Sequence, residues 1–228
     1  MLIEDLKFDI RLYVMLLSVD PLRIYLFREG MARFSTEPYK QPSKKNMSNM
    51  FMHLTNYSIN CRNKGKFVFN KGLDDADQGH KRTFSSILEH IQEHYENGEE
   101  KCDELMHKIE QLIIKTFITV LPSLKHYQNI PNKGQLTQEA LDGTYNKNKA
   151  RVNSLCFEIL GFDVLIDEKL KPWLIEINTA PSFATDTPFD FKIKKDVVAD
   201  ALALLKMSYK LKKKFIKSHK SKVQKRML

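Results

Sequence analysis

Residues 161–183 read GFDVLIDEKLKPWLIEINTAPSF and decide the fold of this chain. Residues 162–166 are apolar except for Asp163, a pattern that fits a strand well enough to predict one, and the mostly charged residues 167–171 predict a turn. A second apolar run, 172–178, predicts another strand before the sequence becomes polar. Two strands joined by so short a turn form a β-hairpin.

Three side chains that carry oxygen interrupt the apolar faces of this hairpin, namely Asp163, Glu176 and Asn178. Antiparallel pairing brings the start of one strand beside the end of the other, and residues two apart share a face. Burying even a neutral unpaired polar group costs about 2–7 kcal/mol, and two carboxylates also repel each other. A hard cation such as Mg²⁺ would compensate for both effects, so a metal site is one interpretation of these three residues. The spacing equally fits acids that face solvent at a strand end.

The first 34 residues predict further strands. In the segment 7–18, Lys7, Asp9 and Arg11 alternate with apolar residues, which is typical of a strand with one polar face. An exposed ladder of cross-strand charges is the simplest use of that face. A returning strand is expected over 22–27, followed by a turn at 28–30 and a short strand over 31–34.

Helix signals occupy much of the remaining sequence. The Ser86/Glu89 spacing predicts a capping box for a first helix that runs to Tyr95, and Glu99 and Glu100 predict the first turn of a second, which we expect to end at Pro122. Loops are expected over 37–48, 62–81 and 127–153, and a terminal helix is expected from 186–188 onward. The second helix should bury Leu105, Ile109, Leu112, Ile113, Thr116 and Val120, and the terminal helix Phe191, Ile193, Val197, Val198, Ala201, Leu204 and Leu205.

Composition narrows the class of protein. A hydrophobic content of 42% is typical of a globular chain. The three cysteines lack CxxC spacing, which argues against a disulfide framework or a zinc site and favours a reducing compartment. The first 19 residues resemble neither a signal peptide nor a membrane span, because charged residues interrupt them. We therefore expect a cytosolic protein with no membrane association.

The net charge of +9 is concentrated at one end. Residues 206–228 contain many Lys and Arg residues and no acidic residue, whereas residues 1–205 are close to neutral. Such a basic tail attracts a polyanion, which could be nucleic acid, an anionic membrane or an acidic protein tail. No motif of stacking aromatic residues accompanies the charge, which argues against nucleic acid. A tail that is merely solvated is a further alternative.

Several longer motifs resemble one family. The hairpin sequence and HLTNYSIN (53–60) resemble the tubulin tyrosine ligase-like family. Its polyglutamylase branch is the part of the family that is similar to KFDIRLYV (7–14), SVDPLRIYLFREGMARF (18–34) and EPY (37–39). The resemblance implies an α+β, ATP-grasp-like fold with an antiparallel or mixed sheet flanked by helices. Only six residues precede Lys7, so we expect the first ATP-grasp lobe to be missing. Residues 1–205 would form a partial catalytic module and 206–228 a basic tail.

The same resemblance implies site residues. Asp163, Glu176 and Asn178 would bind Mg²⁺, and Arg33 and Glu176 would be catalytic. ATP would contact Lys7, Asp9, Thr55 and Asn56. The amino-acid substrate would contact Arg33, Tyr57, Ser58, Lys81 and Thr179, where the planar guanidinium of Arg33 suits a carboxylate.

The implied activity is an ATP-dependent ligation. Free glutamate would be joined to glutamate side chains of tubulin C-terminal tails through an acyl phosphate, with ATP and Mg²⁺ as cofactors. Tubulin or microtubules would be the partner. The protein would be located in the cytoplasm and cytoskeleton, with the cilium or basal body as candidate sites. Two alternatives stay open. One is a non-catalytic microtubule-binding remnant of the family, and the other is a tubulin glycylase.

Overall fold

The structure is a computed structural model, and it describes residues 1–69, 78–141, 157–205 and residue 213. Within these ranges the chain forms strands and helices in an α+β arrangement, as predicted. The strands are β1 (Leu2–Ile3), β2 (Leu6–Val19), β3 (Leu22–Phe34), β4 (Lys81–Thr83), β5 (Glu158–Ile166) and β6 (Pro172–Asn178). The helices are α1 (Met50–His53), α2 (Tyr57–Asn60), α3 (Phe84–His94), α4 (Gly98–Leu141) and α5 (Pro188–Leu204).

The described strands form one antiparallel sheet in the order β4-β3-β2-β5-β6, with β1 paired to β2. The predicted hairpin is confirmed as β5 and β6, in which Asp163 lies opposite Glu176. Strand β6 is the outer strand of this order, and its side chains Trp173 and Ile175 are 49% and 54% exposed. The hairpin that organises the sequence therefore forms one edge of the sheet.

Strand β3 is continuous where we predicted a turn at residues 28–30. Gly30 pairs with Leu12, and the register of β2 against β3 shifts between Leu12 and Val14. A Cβ atom on Gly30 would lie 2.7 Å from the carbonyl oxygen of Arg11. The glycine therefore permits two strands to approach closely, and it does not turn the chain.

The two faces of the sheet pack against different helices. Phe8, Ile10, Leu12 and Val14 of β2 are buried in the larger core with residues of α3 and α4, which confirms the predicted alternation. The opposite face packs on α5 through a smaller cluster that consists of Tyr13, Met31, Phe189, Ile193 and Val197. The polar residues of β2 therefore point towards the α5 side of the sheet.

Helix α3 begins one turn earlier than the sequence predicted. Its N-cap is Thr83, whose hydroxyl accepts a hydrogen bond from the backbone N–H of Ser86. Ser86 is therefore the residue that is capped, and the predicted Ser86/Glu89 capping box is wrong. The cause is that Phe84 and Ile87 are both fully buried, so the helix starts early enough to place them in the core.

Helix α4 continues through Pro122, where we predicted its end, and reaches Leu141. The fixed φ of proline is itself helical, so the cost is one lost hydrogen bond and some crowding. Leu121 and Leu124 pack against the larger core on either side of the proline, which favours a continuous helix. The expected loop over 127–153 is thus helical up to Leu141, and residues 142–153 lie outside the described residues.

Helix α5 begins at Pro188 with Thr187 as its N-cap, as expected. Its buried residues recur every four positions from Phe189 to Ala201, so Phe191 and Val198, which we expected to pack inward, are 54% and 39% exposed. Val120 of α4 is exposed for a similar reason, because Phe117 takes the buried position. None of the described helices is both long and apolar enough to cross a membrane.

Candidate functional site

A row of charged residues crosses the α5 side of the sheet. Asp9 pairs with Arg33 of β3, Arg11 pairs with Asp163 of β5, and Asp163 pairs with Glu176 of β6. Directly paired residues of neighbouring strands share a face. The sheet order therefore gathers residues that are up to 167 positions apart in the sequence into one polar surface.

Four of these residues form a buried ionic cluster. Arg11 donates two hydrogen bonds to the carboxylate of Asp163, of which Nη2 to Oδ2 measures 2.8 Å. Arg33 Nη2 also lies 2.8 Å from Asp163 Oδ2, and Arg33 donates to both oxygens of Asp9. Asp9 and Asp163 are only 1% and 2% exposed, so the alternative of an exposed charge ladder is wrong.

The ionisation of this cluster follows from its contacts. Burial alone would raise the pKa of Asp163, but the hydrogen bond from Arg11 and the charges of Arg33 and Arg11 outweigh it and lower that pKa. Burial likewise opposes the charge of Arg33, yet Asp9 and Asp163 raise the pKa of this guanidinium. Both carboxylate and guanidinium therefore stay charged at neutral pH.

The three predicted metal ligands lie on one face at the end of the hairpin. Glu176 faces Asp163, Asn178 faces Gly161, and Asn178 Nδ2 donates to Glu176 Oε1 over 3.0 Å. Two carboxylates and an amide oxygen are the donor types that Mg²⁺ prefers, so the residues fit the ion chemically. The charge of Asp163 is already compensated by arginine, and the described residues contain no group of three or more His, Cys, Asp or Glu arranged to hold a metal.

The HLTNYSIN segment contributes to two short helices, α1 and α2. His53 ends α1, and Asn56 is the N-cap of α2, although its side chain makes no capping hydrogen bond. Thr55 between them is 9% exposed. Lys7 Nζ donates to the backbone carbonyl of His53 over 2.8 Å, which ties this segment to the polar face of β2.

The predicted substrate residues Tyr57 and Lys81 are in contact. Lys81 Nζ lies 3.6 Å from the centroid of the Tyr57 ring, and Lys81 is the strand partner of Arg33. Ser58 follows Tyr57 in α2. Thr179 is exposed just after β6. The structure thus places Lys81, Tyr57 and Arg33 side by side.

Two charged residues of the site received no role from the sequence. Arg11 could have been found, because it alternates with Asp9 and Tyr13 on the polar face of β2. Asp190 could not, because it meets Lys81 across 109 residues, with Nζ 2.8 Å from Oδ2 and 3.0 Å from Oδ1. Beside them, the Tyr13 hydroxyl is buried and has no hydrogen-bond partner among the described residues.

The chain is similar to known proteins over its whole length. Residues 1–214 match the tubulin-tyrosine ligase family. A probable beta-tubulin polyglutamylase of Tetrahymena thermophila is 42% identical over 100% of this chain, which covers 17% of that protein. The human tubulin polyglutamylases TTLL13 and TTLL6 are 41% and 39% identical over 100% and 98% of the chain, covering 25% and 22% of their lengths.

The present chain therefore spans about a quarter or less of the length of these curated relatives. Its antiparallel sheet, flanked by helices on both faces, confirms the expected α+β, ATP-grasp-like fold class. Together, the sheet, the charged row and the match over residues 1–214 show that this chain belongs to the tubulin-tyrosine ligase family.

Proposed function

We propose that the protein is a tubulin polyglutamylase-type ligase, which uses ATP to add glutamate to glutamate side chains of tubulin C-terminal tails. The relatives named above are polyglutamylases, and the family match supports a ligase. The observation that carries the proposal is the charged row on one face of the sheet, where Asp9 pairs with Arg33, Arg11 pairs with Asp163, and Asp163 pairs with Glu176. Carboxylates, guanidinium groups and an amide gathered on one face are groups that can position phosphate, carboxylate and metal ions.

The nucleotide half of the proposal rests on Lys7 and the HLTNYSIN segment. The Lys7 ammonium donates to the carbonyl of His53, two residues before Thr55, and the side chains of Thr55 and Asn56 can donate hydrogen bonds to phosphate oxygens. Asp9 fixes Arg33 by two hydrogen bonds, which leaves the orientation of this guanidinium set by the sheet. Lys7, Asp9, Thr55 and Asn56 would bind and orient the nucleotide, and no covalent nucleophile on the protein is required.

Asp163, Glu176 and Asn178 are the residues that would hold Mg²⁺. Of the two carboxylates, Glu176 is exposed and Asp163 is buried. The ion, when bound, neutralises charge on the phosphate groups. Because Asp163 is held by Arg11 and Arg33, the two arginines fix the position of its carboxylate on the sheet. The protein's contribution here is to orient the oxygen ligands.

The ligation would take place in two steps. An acceptor carboxylate of tubulin takes the terminal phosphoryl group of ATP and releases ADP. The amino group of free glutamate then attacks the acyl carbon, an amide bond forms, and phosphate and a proton leave. Arg33, Tyr57, Ser58, Lys81 and Thr179 would bind the incoming amino acid, so that positioning and electrostatics provide most of the acceleration.

Microtubules are the proposed partner, and a cytoplasmic, cytoskeletal setting, including the cilium or basal body, follows from it. The basic residues 206–228 would attract the acidic tubulin tails, in a salt-dependent way. Apart from residue 213, this tail lies outside the described residues.

The proposal is tested by incubating the purified protein with microtubules, ATP, Mg²⁺ and either labelled glutamate or labelled glycine. We expect incorporation of glutamate. We expect Glu176→Gln to lower the rate of incorporation at least about 100-fold, because one metal-binding charge is removed. Glu168→Gln, an exposed change in the turn of the same hairpin, should keep full activity.

Full activity in Glu176→Gln contradicts the metal role. Incorporation of glycine in place of glutamate identifies a glycylase. A wild-type protein that binds microtubules in a salt-sensitive way and incorporates neither amino acid is the non-catalytic remnant.

A further inference from the structure

Two buried lysines share one carboxylate at the start of α5. Lys81 Nζ lies 2.8 Å from Asp190 Oδ2, and Lys194 Nζ lies 3.4 Å from Asp190 Oδ1. The side chains of Lys81, Lys194 and Asp190 are only 10%, 9% and 1% exposed. Within the described residues, no other carboxylate forms an ion pair with either lysine. The cluster therefore holds two positive charges and one negative charge.

The remaining contacts of this cluster do not remove the imbalance. Asp190 also accepts a hydrogen bond from the hydroxyl of Thr187 over 2.9 Å, so both of its oxygens are used. Lys194 donates to the carbonyl of Ala184, and Lys81 lies against the ring of Tyr57. These are neutral groups. They satisfy donors, but they do not neutralise the second ammonium.

A buried charge without a counter-charge is unfavourable, and an anion that enters such a site gains from it. Burial alone would raise the pKa of Asp190, yet the hydrogen bond and the charge of Lys81 outweigh it and lower that pKa. The carboxylate is therefore already ionised and offers no further compensation. The missing negative charge has to come from outside the cluster.

The surplus charge lies beside the proposed amino-acid site. Lys81 is the strand partner of Arg33 and contacts Tyr57, and both of these belong to that site. Asp190 and Lys194 lie one helical turn apart on α5, next to the ridge of Phe189 and Ile193 that packs on the sheet. The packing of α5 thus fixes the positions of Asp190 and Lys194, and the pairing of β4 with β3 fixes that of Lys81.

We infer that Lys194, together with Lys81, binds the side-chain carboxylate of the incoming amino acid, with Asp190 as the positioning residue between them. This inference rests on the proposed function and adds a determinant of its specificity. Glycine has no side-chain carboxylate and leaves the second ammonium without a counter-charge. Glutamine has the same shape as glutamate and lacks the charge. The cluster therefore selects an acidic amino acid.

The test compares Lys194→Met with Lys192→Met, a control on the exposed side of the same helix, where Lys192 pairs with Asp196. With ATP and microtubules saturating, we expect Lys194→Met to raise KM for glutamate at least about tenfold while kcat changes less than about twofold. Lys194→Arg, which keeps the charge, should retain most of the affinity. An unchanged KM in a folded Lys194→Met protein overturns the inference.

A second measurement keeps the inference testable if Lys194→Met does not fold. The melting temperature of the wild-type protein, with a non-hydrolysable ATP analogue and Mg²⁺, should rise with added glutamate and stay unchanged with equal concentrations of glutamine or glycine. Equal shifts for glutamate and glutamine, or no shift at all, overturn the inference. A protein that shows the glutamate-specific shift but incorporates no glutamate into microtubules contradicts the proposed function alone.

Discussion

Asp163 is the residue on which the charged row depends, because it accepts hydrogen bonds from Arg11 and Arg33 while only 2% exposed. Removing its charge leaves two buried guanidinium groups short of a partner. We expect Asp163→Asn to lower the free energy of unfolding at pH 7 by about 3–5 kcal/mol. Urea denaturation measures this loss, and Asp196→Asn, an exposed change on α5, should cost less than about 1 kcal/mol.

The lowered pKa of Asp163 also fixes the sign of a pH dependence. A carboxyl whose pKa is lower in the folded state stabilises the protein above its unfolded pKa, about 3.9, and the stabilisation is lost as the pH falls through the folded value. Between about pH 5 and pH 2, the wild-type protein should therefore lose stability more steeply than Asp163→Asn. Parallel curves would show that Asp163 does not contribute to acid unfolding.

At the scale of single residues, the sequence predicts which side chains meet and misses what compensates them. Asp163, Glu176 and Asn178 come together because strand alternation and antiparallel pairing are local rules. A metal cation is one interpretation of their charge, and the structure supplies two arginines to Asp163. Arg11 lies 152 residues from its partner, and only the strand order brings the two together.

At the scale of elements, the close approach of β2 and β3 depends on Gly30. A Cβ atom there would lie 2.7 Å from the Arg11 carbonyl oxygen and 2.9 Å from Leu12 Cδ2, and neither the backbone nor the packed side chain can easily move. We expect Gly30→Ala to lower the free energy of unfolding by about 1–3 kcal/mol. Thermal or urea unfolding measures it, and Arg28→Ala, at an exposed position of the same strand, is the control.

An unchanged stability in Gly30→Ala would show that β2 and β3 can separate locally.

The same residue explains why the sequence predicted a turn at residues 28–30 that the structure does not contain. Arg28, Glu29 and Gly30 resemble a turn, because glycine beside charged residues usually marks one. Here the glycine marks a close backbone contact, which depends on the neighbouring strand. Helix α4 gives a second case, since packing on both sides of Pro122 overrides its tendency to end a helix.

At the scale of the whole molecule, charge is separated along the chain. Residues 1–205 are close to neutral, and residues 206–228 contain ten Lys or Arg and no acidic residue, which gives the whole chain its net charge of +9. We expect microtubule binding to weaken as the salt concentration rises from about 50 to about 200 mM, because salt screens the attraction between the basic tail and an acidic partner. Changing Lys212 and Lys214 to Gln should weaken binding and flatten its salt dependence, as measured by co-sedimentation.

The matched control for this experiment changes two exposed lysines of the loop between β3 and α1, Lys44 and Lys45, to Gln. An equal effect of both pairs would mean that microtubules respond to the overall charge of the protein and not to its tail. The sequence predicts this separation of charge directly, since counting charged residues requires no knowledge of the fold.

The exposed apolar side chains of β6 have a practical consequence. Its outer edge has no partner strand among the described residues, and Trp173 and Ile175 are about half exposed. An uncovered hydrophobic edge readily accepts a strand from another polypeptide. The isolated chain is therefore prone to self-association on concentration, and solubility during purification will be governed by this border more than by the interior of the sheet.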